Sequence, residues 1–95
     1  MTAYIIALID VQDAEAYKLY TAKTPGVIQQ YGGKFVVRGG NPEALEGSLP
    51  SSRVVVLEFA DRAAAKRFHE SSDYQAIIPL RTAAAKGSLM VVDAV

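Results

Sequence analysis

A chain of 95 residues makes a single domain, 1–95, with no room for a second core. Hydrophobic residues at 51% and charged ones at 21% exclude a disordered chain. Lys+Arg 10 balances Asp+Glu 10, which argues against partners that demand a basic excess, so neither nucleic acid nor a membrane surface is expected. Without cysteine there is no disulfide, no thiolate nucleophile and no Cys-type zinc site. The start, Met1-Thr2-Ala3-Tyr4, runs into apolar residues without a basic flank, so it does not read as a signal peptide. No apolar run approaches the roughly 18 residues of a membrane helix. These features point to a soluble, cytoplasmic domain.

The run from Ala3 to Ile9 is apolar at nearly every position and ends at Asp10. It is short and β-branched, which predicts a strand buried on both faces. Asp13 stands where an N-cap belongs, with Glu15 in the first turn. Tyr17, Tyr20, Val27, Ile28 and Tyr31 then form one helical stripe. Pro25 predicts a kink or short break near Thr24, and Gly32-Gly33 a stop. Lys34–Arg38 is the second strand, closed by the turn cluster Gly39-Gly40-Asn41-Pro42.

A long connection leads through Leu45-Glu46-Gly47 to Ser52. Loops of about a dozen residues are usually lids, binding loops or interface arms. With Leu45 and Leu49 as apolar anchors, this one is expected to pack on a partner subunit or close a cleft. Arg53–Phe59 is the third strand. Asp61 caps a helix whose inner side is Ala64, Ala65 and Phe68. Ser71-Ser72-Asp73 reads as a stop followed by a new N-cap. Tyr74, Ile77, Ile78 and Arg81 share the next helical face, Pro79 suggests two helical pieces, and Gly87 is expected to break the helix before a last strand at Leu89–Val92. The order β-α-β-β-α-β predicts an α+β, ferredoxin-like fold, a four-stranded antiparallel sheet with helices on one face.

Several phrases taken together, Tyr31–Gly40, Leu45-Glu46-Gly47, Arg53–Phe59, Ser72-Asp73-Tyr74-Gln75 and Arg81, resemble the domain of unknown function 1330 family over almost the whole chain. The resemblance implies a dimeric α+β barrel, in which two ferredoxin-like protomers pair sheet to sheet. That superfamily includes cofactor-independent monooxygenases, muconolactone isomerase and haem-dependent enzymes. Its fold therefore carries no single chemistry.

Candidate chemistry has to come from individual residues. His69-Glu70-Ser71-Ser72-Asp73 matches half of an H-E-x-x-H zinc helix, but the second histidine is missing and the serines end the helix. A surface histidine at a helix C-terminus is the plainer reading, and no metal is expected. As the sole histidine, His69 is also the one axial ligand a haem variant could use. Gly39-Gly40-Asn41-Pro42 lacks the pattern of a phosphate loop and reads as a turn needing positive φ. Tyr17, Tyr20 and Tyr31 are either core or a stacking surface.

Glu58 falls by alternation on the face of Val54 and Val56, among apolar residues, so an ion pair with Arg38, Arg53 or Arg81 is expected unless it is a general base. Arg81 points inward with Tyr74 and Ile77, and needs a carboxylate such as Glu58 or Glu46, carbonyls, or a bound anion. The sequence thus offers a cofactor-free small-molecule enzyme or binder, in a cleft ringed by Tyr20, Arg38, Glu58, Tyr74 and Arg81, with Glu46 and His69 as secondary candidates. The rival is a non-catalytic dimeric module. Both rest on a homodimer, because strands that are apolar on both faces require a second cover for the sheet.

Overall fold

The computed structural model describes residues Met1–Val95. The elements in chain order are β1 (Ala3–Val11), α1 (Ala14–Gln30), β2 (Lys34–Gly39), β3 (Arg53–Phe59), α2 (Arg62–Glu70), α3 (Ser72–Ala84) and β4 (Ala85–Asp93). The strands form one sheet in the order β2-β3-β1-β4, with every neighbouring pair antiparallel. This is the α+β, ferredoxin-like arrangement that the element order predicts. No helix is long and apolar enough to cross a membrane.

Local signals act where the sequence places them. The Asp13 carboxylate accepts from the Ala16 amide at 3.0 Å and Asp61 from the Ala64 amide at 2.8 Å, so each satisfies an orphan donor at a helix start. Ser71 does the same for α3, accepting from the Tyr74 amide at 3.1 Å. Because Ser71 is also the last cap of α2, the two helices meet without a loop.

Pairing then sorts side chains onto two faces. Ile5 stands opposite Leu57 on β3 and Val91 on β4. With Ala3, Ala7 and Ile9 it faces the helices and is buried. Ile6 stands opposite Val56 and Met90 on the other face, where Tyr4, Ile6 and Leu8 are only half-buried and Met90 is exposed. Val54 and Val56 therefore belong to the outward face, and Val55, Leu57 and Phe59 to the core. The outward face of the sheet carries Tyr4, Ile6, Leu8, Val54 and Val56 beside the polar Lys34, Glu58, Lys86 and Ser88, and no helix covers it.

The helix breaks expected at Pro25 and Pro79 are absent, and the stop expected at Gly87 falls elsewhere. The first helix runs unbroken through Pro25, with the Thr24 hydroxyl donating to the Tyr20 carbonyl at 2.6 Å and Ile28 held in the core beyond it. Pro79 likewise lies inside a single helix; the break is at Ser71. Gly87 stops nothing. The helix has already ended at Ala84, whose carbonyl accepts from the Gln12 and Asp13 amides at 2.9 and 3.0 Å. Gly87 pairs with Ile9 inside β4, where a Cβ would run into the Leu8 carbonyl. Its role is close packing, not punctuation.

The connection after β2 opens on a run of left-handed backbone, with φ of 89° at Gly39, 64° at Gly40 and 48° at Asn41. The positive φ expected of this glycine cluster is therefore present. Beyond it Leu45 is 91% exposed and Leu49 45%, and no residue from 40 to 52 lines the main cavity. Within one protomer the connection is therefore not a lid. Its apolar residues are left to other surfaces.

Candidate functional site

Between the inner sheet face and helices α1 and α3 lies a narrow cavity open to solvent, with about 40 Å³ of room for water-sized molecules. Ile5, Ala7 and Ile9 of β1, Val55 and Leu57 of β3 and Leu89 of β4 make its floor. Tyr17, Tyr20 and Thr24 of α1, with Phe68, Tyr74 and Arg81, make its roof. Clefts that are mostly apolar with a few convergent polar groups are the usual form of a small-molecule site.

The polar groups are the phenols of Tyr17, Tyr20 and Tyr74, the hydroxyls of Thr21 and Thr24, and three guanidiniums. The Tyr20 and Tyr74 hydroxyls lie 2.7 Å apart in a buried hydrogen bond, with their rings edge to face at 6.4 Å. Burial pushes the Tyr20 phenol above its ordinary range; its neighbour Tyr74 adds to this, and Arg81 opposes it. Tyr20 is thus a neutral donor at physiological pH and not a phenolate base. One phenolic proton lies between the two oxygens, which leaves the other available to donate elsewhere.

Arg81 lies on the inward face of α3, as its spacing from Tyr74 and Ile77 predicts, with its guanidinium carbon 6.0 Å from the Tyr20 ring centroid. Arg53 leans on Tyr17 at 5.7 Å and Arg38 on Phe35 at 4.4 Å. All three arginines line the cavity, and no Asp or Glu does. The ion pairs of the protomer are Glu15–Lys18, Lys34–Glu58 and Arg62–Asp93, none of which involves them. The Nε–H groups of Arg53 and Arg81 are buried and meet no protein acceptor.

Not every candidate from the sequence reaches this place. Tyr20, Arg38, Tyr74 and Arg81 come together, whereas Glu58 does not. It lies on the opposite face of the sheet, where Lys34, its cross-strand neighbour, bridges it at 3.2 Å. The expected pairing of Glu58 with Arg38, Arg53 or Arg81 is therefore replaced by a lysine bridge, because strand register decides which face each residue meets. Glu46 is exposed in the connection and does not line the cavity.

His69 borders a separate hollow with Lys66, Glu70 and Met90 between α2 and β4, its ring 5.6 Å from that of Tyr74. His69 therefore does not line the cavity that Tyr20, Tyr74 and Arg81 share. No three metal-binding side chains gather anywhere in the chain. Tyr31 bonds Asp73 at 2.9 Å and lies outside the cavity.

Arg53 is the site residue the sequence reading undervalued, considering it only as a partner for Glu58. Alternation with Val55 and Leu57 already places it on the inward face. Arg38 has no such signal. A bulge between Phe35 and Val37 shifts the register so that Val37 stands opposite Val56 and Arg38 opposite Val55. Plain alternation from Phe35 would turn Arg38 outward.

The same fold recurs in solved structures of low sequence identity, which establishes architecture alone. A protein of unknown function from Rhodopseudomonas palustris superposes with a TM-score of 0.80 at 21% identity, over 99% of this chain and 82% of that one. A dimeric ferredoxin-like protein of unknown function from Jannaschia sp. CCS1 gives 0.73 at 11% identity, over 99% and 100%. SnoaB, a cofactor-independent oxygenase from Streptomyces nogalater, gives 0.68 at 13% identity, over 99% and 93%. No curated protein matches the chain. The family described as Domain of unknown function (DUF1330) matches residues 2–95, and the chain belongs to it.

Proposed function

We propose that this protein is a cytoplasmic homodimer that binds a small molecule, as an enzyme or a receptor without a metal, in the cavity between sheet and helices. The observation that carries the reading is the convergence of Tyr20, Tyr74 and Arg81 on an otherwise apolar wall. A module serving only as an interface gains nothing from leaving the buried Nε–H groups of Arg53 and Arg81 unpartnered. The similarity to a cofactor-independent oxygenase is compatible with metal-free chemistry but rests on fold.

The dimer has its own support. Apolar Tyr4, Ile6, Leu8, Val54, Val56 and Val92 share one face of the sheet that no helix covers. An antiparallel sheet facing water should be polar there. A second copy, sheet to sheet, covers this face with two-fold symmetry; one fold relative is described as dimeric. The exposed Leu45 and Leu49 would then lie on an arm reaching the partner.

Two measurements test the reading. Sedimentation at micromolar concentration should give a dimer, and Val56→Lys should yield aggregates or unfolded chains; a well-folded wild-type monomer refutes the assembly. A thermal-shift screen of planar aromatic acids, alcohols and lactones should give ligands whose effect disappears in Ala7→Phe, which fills the cavity floor. If no compound depends on the open floor, the small-molecule reading fails and the chain is an interface module.

A further inference from the structure

We infer that the cavity accepts an apolar carboxylic acid, its carboxylate held by Arg53 and Arg81 with Arg38 at the mouth, an assignment that rests on the small-molecule reading above and adds its ligand class. Acids and bases balance over the chain as a whole. Around the cavity they do not, for three arginines line it and no carboxylate does. A buried N–H without an acceptor is destabilising, and the Arg53 and Arg81 Nε groups are both in that position. Each guanidinium leans on a ring, Arg53 on Tyr17 and Arg81 on Tyr20. Neither contact is a hydrogen bond, so it leaves the guanidinium N–H groups free for a planar anion such as a carboxylate.

Two backbone irregularities serve the same end. The β2 bulge turns Arg38 onto the cavity side. Gly39, with φ of 89°, lies where a Cβ would stand 3.0 Å from Arg53 Nη1, so the missing side chain makes room for the guanidinium. Every other part of the wall argues against a highly charged ligand. The floor is aliphatic, and the neutral phenols of Tyr20 and Tyr74 can supply no more than a hydrogen bond to a polar atom on the body of the molecule. One anionic head and a flat apolar body are what the lining matches.

The test is calorimetric titration of the full chain at neutral pH with 2-naphthoate, its neutral counterpart 2-naphthylmethanol, acetate, and 2-naphthyl phosphate. We expect 2-naphthoate to bind at least about tenfold more tightly than the alcohol, from one charge-assisted hydrogen-bonded pair. Arg53→Met and Arg81→Met should each weaken 2-naphthoate about tenfold and leave the alcohol within about twofold. Should either variant fail to fold, Arg53→Lys and Arg81→Lys, which keep charge but lose the fork, should each weaken the acid by at least about threefold.

Equal binding of acid and alcohol overturns the ligand class and leaves the cavity reading standing. Acetate as tight as 2-naphthoate overturns the apolar body, and tighter binding of the phosphate overturns the carboxylate. Failure of 2-naphthoate to bind, or arginine variants that bind it unchanged, overturns the assignment outright, while the screen with Ala7→Phe decides separately whether the cavity binds anything.

Discussion

Removing both hydroxyls of the Tyr20–Tyr74 pair should cost less than the sum of removing each alone. Tyr74 is 1% exposed and Tyr20 8%, and their oxygens satisfy one another at 2.7 Å. In Tyr74→Phe the Tyr20 hydroxyl loses its partner inside an apolar roof, and an unsatisfied buried group costs about 1–3 kcal/mol. Tyr20→Phe strands Tyr74 in the same way. The double variant replaces both polar atoms with hydrogen at unchanged ring packing, so its cost should fall short of the summed single costs by at least about 1 kcal/mol. For a domain of this size, each kcal/mol moves the melting temperature by about 4–8 °C.

The assay is thermal unfolding of wild type, both single variants and the double variant. One fixed protein concentration is essential, because association with a second copy would raise every melting point. Additive losses would refute the reasoning. They would mean that each hydroxyl finds its own partner, water or backbone, and that the 2.7 Å contact contributes nothing specific.

Other expectations follow from the same structure. Gly33→Ala should be destabilising by more than about 1 kcal/mol, since a Cβ there would stand 2.6 Å from the Phe59 ring. Gly26→Ala, with nothing within 4 Å and a place inside α1, should gain about 0.5–1 kcal/mol; chemical denaturation of the two reads both signs. Tyr20 has a raised pKa when folded, so unfolded chains release its proton first as the solution becomes alkaline. Its contribution is whole below the unfolded value of about 10 and is lost as pH rises above it. Wild type should therefore lose stability from about pH 10 upward more steeply than Tyr20→Phe; parallel curves would remove Tyr20 as the cause. Amides from 40 to 52 should exchange rapidly when association is broken and slowly in the dimer. Rapid exchange in both states would deny the connection an interface role.

Short-range physics was readable from the sequence. Asp13, Asp61 and Ser71 cap helices because a side-chain oxygen and an amide three residues on are all that a cap requires. Arg81 points inward because helical period ties it to Tyr74 and Ile77. The apolar character of β1 and β3 on both faces is likewise plain in their composition. None of these depends on a distant residue.

What tertiary structure decided is wherever two distant segments meet. Alternation divides Val54 from Val55 but not inside from outside; that choice was made by the helices lying over Val55, Leu57 and Phe59. Glu58 reads as a partner for an arginine until strand pairing sets Lys34 beside it. Gly87 looks like a helix stop, yet it answers to the Leu8 carbonyl on another strand. The largest difference comes from the bulge in β2, which turns Arg38 toward the cavity that Arg53 and Arg81 share. One unpaired residue in a strand reverses the face of everything after it, and that reversal is written in the hydrogen bonding of two strands, not in the residues of one.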